Sequence, residues 1–139
     1  MAVDKGGFTA DERAAMRQRA KEAKAALQGA EALQSTLDAI AALDDVERPI
    51  AERLHAIVNE VAPQLSARTF YGFPAYAKDG KVVVFYQPAS KFKTRYGTVS
   101  FSDTALLDTG DMWPVSYAVI AMNEQIAAHI TELVKKAAG

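Results

Sequence analysis

Lys91, Lys93 and Arg95 alternate along the stretch KFKTR. A period of two predicts a strand with the three cations on one face and Phe92, Thr94 and Tyr96 on the other. Like charges about 7 Å apart repel each other, and an anion such as a phosphate would relieve that repulsion. Arg68, Lys78 and Lys81 add to the same basic region. The pattern more readily fits a solvated sheet edge, because lysines hinder edge-to-edge association.

Aromatic residues crowd the same part of the chain: Tyr71, Phe73, Tyr76, Tyr86 and Tyr96, followed by Trp113 and Tyr117. Rings beside cations can stack a base or a flat metabolite. A small sheet also needs large rings to cover it, so the core is the competing use. The ligand-binding candidates are therefore Tyr71, Tyr76, Lys91, Lys93, Arg95 and Trp113.

Metal chemistry has less to build on. Glu52 with His55, and His129 with Glu132, are spaced as in carboxylate-bridged iron sites on helices. His55 nevertheless falls far from the apolar stripe of its helix and His129 at the edge of its own, so surface ion pairs account for both. Asp103, Asp108 and Asp111 match no calcium loop, and Asp103 suits a helix cap. The chain has no cysteine, no G-x-S-x-G, no P-loop and no G-x-G-x-x-G. No nucleophile and base pair can be assembled, and a non-enzymatic protein without a cofactor is expected.

At 139 residues, half of them apolar, the chain fits one domain with a real core. A net charge of -1 argues against a general nucleic-acid binder. No apolar run approaches the roughly 20 residues of a membrane span, and the N-terminus lacks a secretory segment. A soluble cytoplasmic protein is expected, in keeping with the absence of cysteine.

The elements that must position these residues can be read from period and caps. Thr9 and Glu12 form a capping box, predicting a helix from Ala10 to about Leu27 with a thin stripe of Met16, Ala20, Ala23 and Leu27. Gly29 predicts a break, and a second helix is expected from Ala30 to Leu43 with Leu33, Leu37 and Ile40 inward. Pro49 opens a third helix carrying Ile50, Leu54, Ile57, Val58 and Val61 on its core face, which Pro63 ends. Asn123 caps the last helix, with Ile126, Ile130, Leu133, Val134 and Ala137 inward and Lys135 and Lys136 at its negative end.

Between the helices the period changes to two. Tyr76 and Ala77 lead through the Asp79-Gly80 hairpin into a central strand, Lys81 to Gln87. A third strand from Lys91 to Phe101 needs a bulge at Gly97 to bring Phe92, Tyr96, Val99 and Phe101 to one side. A helical turn follows Asp103, and Val115 to Met122 is the fourth strand. Gly72 and Pro74 read as a fixed bend leading out of the third helix, and the first six or seven residues as disordered. The expected fold is α+β: a small, mainly antiparallel four-stranded sheet packed against helices, with a helical extension over 1–45 and a core over 46–139.

Tyr71-Gly72-x-Pro74-x-Tyr76, the turn from Asp79 to Lys81, the strand reaching Phe85, and Lys91 together resemble the YdhG-like family over about residues 48–138. That family is a domain of unknown function grouped with frataxin-like iron chaperones. The resemblance implies the α+β fold and, as an alternative function, iron binding. Many relatives carry a histidine after the lysine, where this chain has Phe92. An iron chaperone would also want an acidic ridge on an early helix, whereas Asp11, Glu12 and Glu22 are offset here by Arg13, Arg17, Arg19, Lys21 and Lys24. The leading expectation is a binding module for a small anionic or aromatic ligand, and a further alternative is an interaction protein using the N-terminal helix.

Overall fold

The computed structural model describes residues 8–139, so the expected disorder of the first residues lies outside the described chain. Thr9 and Glu12 cap the first helix reciprocally: the Thr9 N–H donates to the Glu12 carboxylate at 2.8 Å and the Glu12 N–H to the Thr9 hydroxyl at 3.1 Å. This helix, α1 (Ala10–Ala41), runs for 32 residues without the break expected at Gly29. A single glycine costs only about 1 kcal/mol among strong helix formers, and nothing lies within 4 Å of where its Cβ would be to force a turn. The chain divides into two compact units at Glu31 and Ala32, inside α1. In the first unit every described side chain is exposed.

The second unit, Ala32–Gly139, contains the sheet and the core. In the α1 residues of this unit the buried positions are Thr36 and Ile40, while Leu33 and Leu37 are 41% and 38% exposed, against expectation. Hydrophobicity picks out the leucines, but the buried side is set by Thr36 and Ile40 at i and i+4. The hydroxyl of Thr36 is satisfied locally by the Ala32 carbonyl at 2.8 Å. Asp44 then accepts from the N–H groups of Val46 and Glu47 and opens α2 (Glu47–Val61). Ile50, Leu54, Ile57 and Val58 are buried along α2 as its periodicity predicts.

Five strands follow, not four: β1 (Ser66–Phe70), β2 (Phe73–Lys78), β3 (Lys81–Gln87), β4 (Gly97–Phe101) and β5 (Ser116–Val119). They form one antiparallel meander in the order β1-β2-β3-β4-β5. β1 is the unanticipated strand, short and only partly buried, with no strong alternation to betray it. Its presence recasts Tyr71-Gly72 as a two-residue hairpin turn. Both residues have positive φ, 50° and 83°, just as Asp79 and Gly80 do at 52° and 79° in the next hairpin.

The expected third strand begins only at Gly97. Lys91 and Phe92 instead belong to a single helical turn, α3 (Ala89–Phe92), which Lys93 closes in the left-handed conformation at φ 55°. Pro88 favours this local turn over pairing, since it has no N–H to give to a ladder. No bulge is needed at Gly97; the irregularity lies between β2 and β3, where the register slips at Tyr76/Ala77. Val83 and Val84 both enter the core as a result. The expected helical turn after Asp103 is a non-helical loop, so Asp103 caps no helix. Thr104 holds that loop by donating to the Val82 carbonyl at 2.8 Å.

Asn123 accepts from the Ile126 N–H at 2.9 Å and caps the last helix, α4 (Glu124–Ala138). α2 and α4 bury one face of the sheet, through Tyr76, Val84, Tyr86, Val99 and Phe101. The other face is shielded by its own rings: Phe73 and Phe85 stack at 5.4 Å, with Phe70 and Phe92 edge-on or tilted against them. Among the described residues no helix is long and apolar enough to cross a membrane.

The Tyr71-Gly72 turn can be tested directly. Gly72→Ala places a Cβ at positive φ, and in urea unfolding it should lower stability by about 1–2 kcal/mol. That Cβ would collide with the Lys91 Nζ. A lysine tip moves freely, so adding Lys91→Ala should not recover the loss; full recovery would mean a steric cost instead of a backbone one.

Candidate functional site

The six sequence-derived candidates fall in separate places. Tyr71 is 78% exposed at the tip of the β1-β2 hairpin, with the Lys91 ammonium folded over the adjacent Gly72. Lys93 and Arg95 sit in the exposed segment after α3, and the Arg95 guanidinium lies 4.9 Å from the Tyr96 ring centroid. The alternating strand face that was to align the three cations does not form, because that segment is helical turn and loop. Among the described residues the ion pairs are Arg48–Asp45, Arg53–Glu124 and Lys135–Glu132, leaving Lys91, Lys93 and Arg95 without a carboxylate partner.

Tyr76 points the other way. It is 1% exposed in the core, and its hydroxyl meets His55 Nδ1 at 3.0 Å. His55 is thus half-buried against the sheet, not placed in a surface pair with Glu52 as helical spacing predicted. A neutral imidazole accepts the phenolic proton at Nδ1 and carries its own proton on Nε2. A charged imidazole would donate at both nitrogens and strand the buried hydroxyl hydrogen. Burial lowers the His55 pKa from 6.5, and this pairing acts in the same direction. Burial also pushes the Tyr76 hydroxyl well above its usual value, so the phenol stays protonated.

His129 has a similar neighbour. Its ring stands edge-on to Tyr117 at 5.7 Å and 75°, and Tyr117 is edge-on to Phe101 at 6.2 Å. Glu132 pairs with Lys135 at 3.8 Å instead of with His129. No group of three or more His, Asp or Glu residues comes together to hold a metal ion among the described residues.

His129 and Tyr117 line a cleft of about 490 Å³ between β5 and α4, with Ile120, Ile126, Ile130 and Leu133. Its wall is mainly apolar, and Gln125 and His129 supply the polar groups. That volume lies in the range of small-molecule sites, which combine apolar walls with a few polar anchors. Trp113 is next door: with Met112, Pro114 and Lys136 it lines a second cleft of about 240 Å³ that shares Tyr117 and Leu133 with the first. The Lys136 ammonium donates to the Thr109 hydroxyl at 2.9 Å.

Of the six candidates, then, Trp113 lines the smaller cleft that shares Tyr117 and Leu133 with the main one, Lys91 lies over the Gly72 of the Tyr71 hairpin, and Tyr76 is buried in the core. Sequence reasoning named Tyr117 among the rings but took the cleft residues of α4 for core. The available signal was the pairing of the exposed His129 with a strand that ends a sheet: an edge strand leaves room beside it that a central strand does not. Comparisons of the chain with protein-family models, with curated proteins and with solved structures return no match.

The His55 geometry sets a pH dependence. The unfolded imidazole binds its proton near pH 6.5 and the folded one only at lower pH, so the unfolded state holds more protons in that window. This contribution to stability is complete above pH 6.5 and declines as pH falls through the folded value. Tyr76→Phe should cost about 1 kcal/mol at neutral pH and move the His55 titration, followed by NMR, back toward its ordinary value. An unchanged titration would show that the phenol does not hold the imidazole neutral.

Proposed function

We propose that the protein is a binding module for a small aromatic or apolar molecule, held in the cleft between β5 and α4. The observation that carries this reading is a concavity of about 490 Å³ whose apolar wall includes the Tyr117 and His129 rings. A flat ligand would stack on Tyr117 and fill the space against Ile126, Ile130 and Leu133, while Gln125 and His129 would meet one polar or anionic group on it. A carboxylate is the natural partner for His129, which gains a charge-assisted hydrogen bond when protonated.

A second reading rests on a different observation. Tyr71 is held at φ 50°, where non-glycine residues are uncommon, and presents its ring to solvent, while Lys91, over the adjacent Gly72, has no carboxylate partner among the described residues. That combination fits an anion with a flat ring, bound on the outer side of the sheet.

One titration separates the two. The single tryptophan, Trp113, is half-buried beside the cleft, so its fluorescence reports binding there. With benzoate, indole-3-acetate and nucleoside monophosphates as probes, an aromatic carboxylate should change Trp113 emission and shift the amides of Tyr117, His129 and Leu133. Tyr117→Ala should weaken that binding by about 2- to 10-fold, the worth of one aromatic contact. Shifts confined to Tyr71, Lys91, Lys93 and Arg95 would move the site to the hairpin; no shift with any probe would remove both readings.

A further inference from the structure

β5 ends the sheet, with β4 on one side and no strand on the other among the described residues. Antiparallel pairing alternates: every second residue turns its N–H and C=O toward the neighbouring strand, and the residue between turns them away. The Phe101 N–H donates to the Val115 carbonyl at 2.7 Å, which fixes the phase. Val115, Tyr117 and Val119 bond toward β4, and Ser116 and Ala118 point their backbone groups off the open edge. Sheet edges are usually blunted by charge, proline or a bulge. β5, Ser-Tyr-Ala-Val, carries neither charge nor proline and is guarded only by its shortness, whereas the other edge strand, β1, carries Arg68. The same open edge forms one lip of the cleft whose other lip is α4. On that helix Ile126 and Ile130 stand one turn apart, about 6 Å, close to the roughly 7 Å between alternate side chains of a strand.

We propose that this edge and cleft together take an extended peptide as a sixth, antiparallel strand, an inference that rests on the cleft being a binding site and names its ligand class. The phase of β5 sets the peptide's pattern. Residues opposite Ser116 and Ala118 exchange backbone hydrogen bonds with them and share their side-chain face, the one away from α4, where Ser116 meets Ser100. The residues between, one of them opposite Tyr117, turn their side chains into the cleft and their N–H groups to solvent. The peptide therefore carries large apolar residues at every second position. A second copy of β5 cannot supply them, because its Tyr117 is held against its own Phe101 and His129, and its Val119 lies in its own core. Charge sets the direction. Arg95 lines the hollow that continues from Val119 and Ile120, and it has no carboxylate partner among the described residues. Glu47, in the same wall, is buried and already accepts from the Ser90 N–H and hydroxyl. An antiparallel strand brings its N-terminal end to Arg95, so acidic residues precede the apolar ones.

An NMR titration of the full chain with the peptide acetyl-EEVSFSLS-amide tests this. Binding should shift the amides of Ser116, Ala118 and Ile120 together with those of Ile126 and His129. N-methylating the two serines that flank the phenylalanine removes the N–H groups facing β5 and should weaken binding at least about 10-fold. N-methylating the phenylalanine and leucine, whose N–H groups face solvent, should leave the affinity within about 2-fold. Arg95→Glu should weaken binding about 2- to 10-fold, and lysines in place of the two glutamates should reverse that preference. No shift with the unmodified peptide, or equal effects of the two methylations, overturns the added strand. An affinity indifferent to Arg95→Glu overturns its direction. A protein that binds benzoate or indole-3-acetate but not the peptide loses this inference and keeps the small-molecule cleft; the converse result keeps the strand and removes that cleft's small ligand. A dimer in sedimentation velocity with the Ser116 and Ala118 amides at its interface would give the edge to a second copy and overturn the proposal.

Discussion

The structure depends on a five-stranded sheet that has two faces and helices for only one of them. α2 and α4 cover the face that carries Tyr76, Val84, Tyr86, Val99 and Phe101. This burial is the main favourable term, since apolar area removed from water is worth about 25 cal/mol per Å². The price is that the opposite face must protect itself. Phe70, Phe73, Phe85 and Phe92 do so by packing on one another, leaving Phe73 2% exposed under rings of its own sheet and of the single turn α3. The aromatic density of the chain therefore has two separate explanations, one for each face.

Polar groups caught in this arrangement are satisfied by pairing across elements. The Tyr76 hydroxyl reaches α2 through His55, and Glu47, 5% exposed at the start of α2, accepts from the Ser90 N–H at 2.9 Å and from its hydroxyl. Ser100 on the outer face finds Ser116 at 2.8 Å. Each bond removes the cost of a stranded buried donor or acceptor, which is larger than the net gain of the bond itself. These pairs tie α2 to the sheet and α3 to α2.

Two helices over five strands also leave something uncovered. α4 packs against β3, at the centre of the sheet, and the last strand, β5, flanks the cleft beside it. The cleft with Tyr117 and His129 is the space left there, and it is apolar because its walls are the flanks of a core helix and a half-buried strand. The hairpin tip at Tyr71 arises differently. Tyr71 sits in a two-residue turn at positive φ, outside both strands it joins, and its ring is exposed there.

Local signals in the sequence determined the elements whose causes are local. Reciprocal side chains placed the start of α1, Asn123 placed α4, the Asp79-Gly80 pair placed a hairpin, and apolar periodicity placed the buried faces of α2 and α4. The α+β class followed from their order. Tertiary structure decided what alternation leaves undetermined. A strand exists only when a neighbour accepts its hydrogen bonds, so β1 appeared where β2 offered an edge, and the alternating stretch Lys91 to Tyr96, offered none, became turn and loop. The candidate site was scattered for the same reason: alternation predicts which residues share a face if a strand forms, and strand formation is a property of the whole sheet. Whether the Tyr76 hydroxyl turned inward was likewise settled by His55, twenty-one residues away along the chain and 3.0 Å away in the fold.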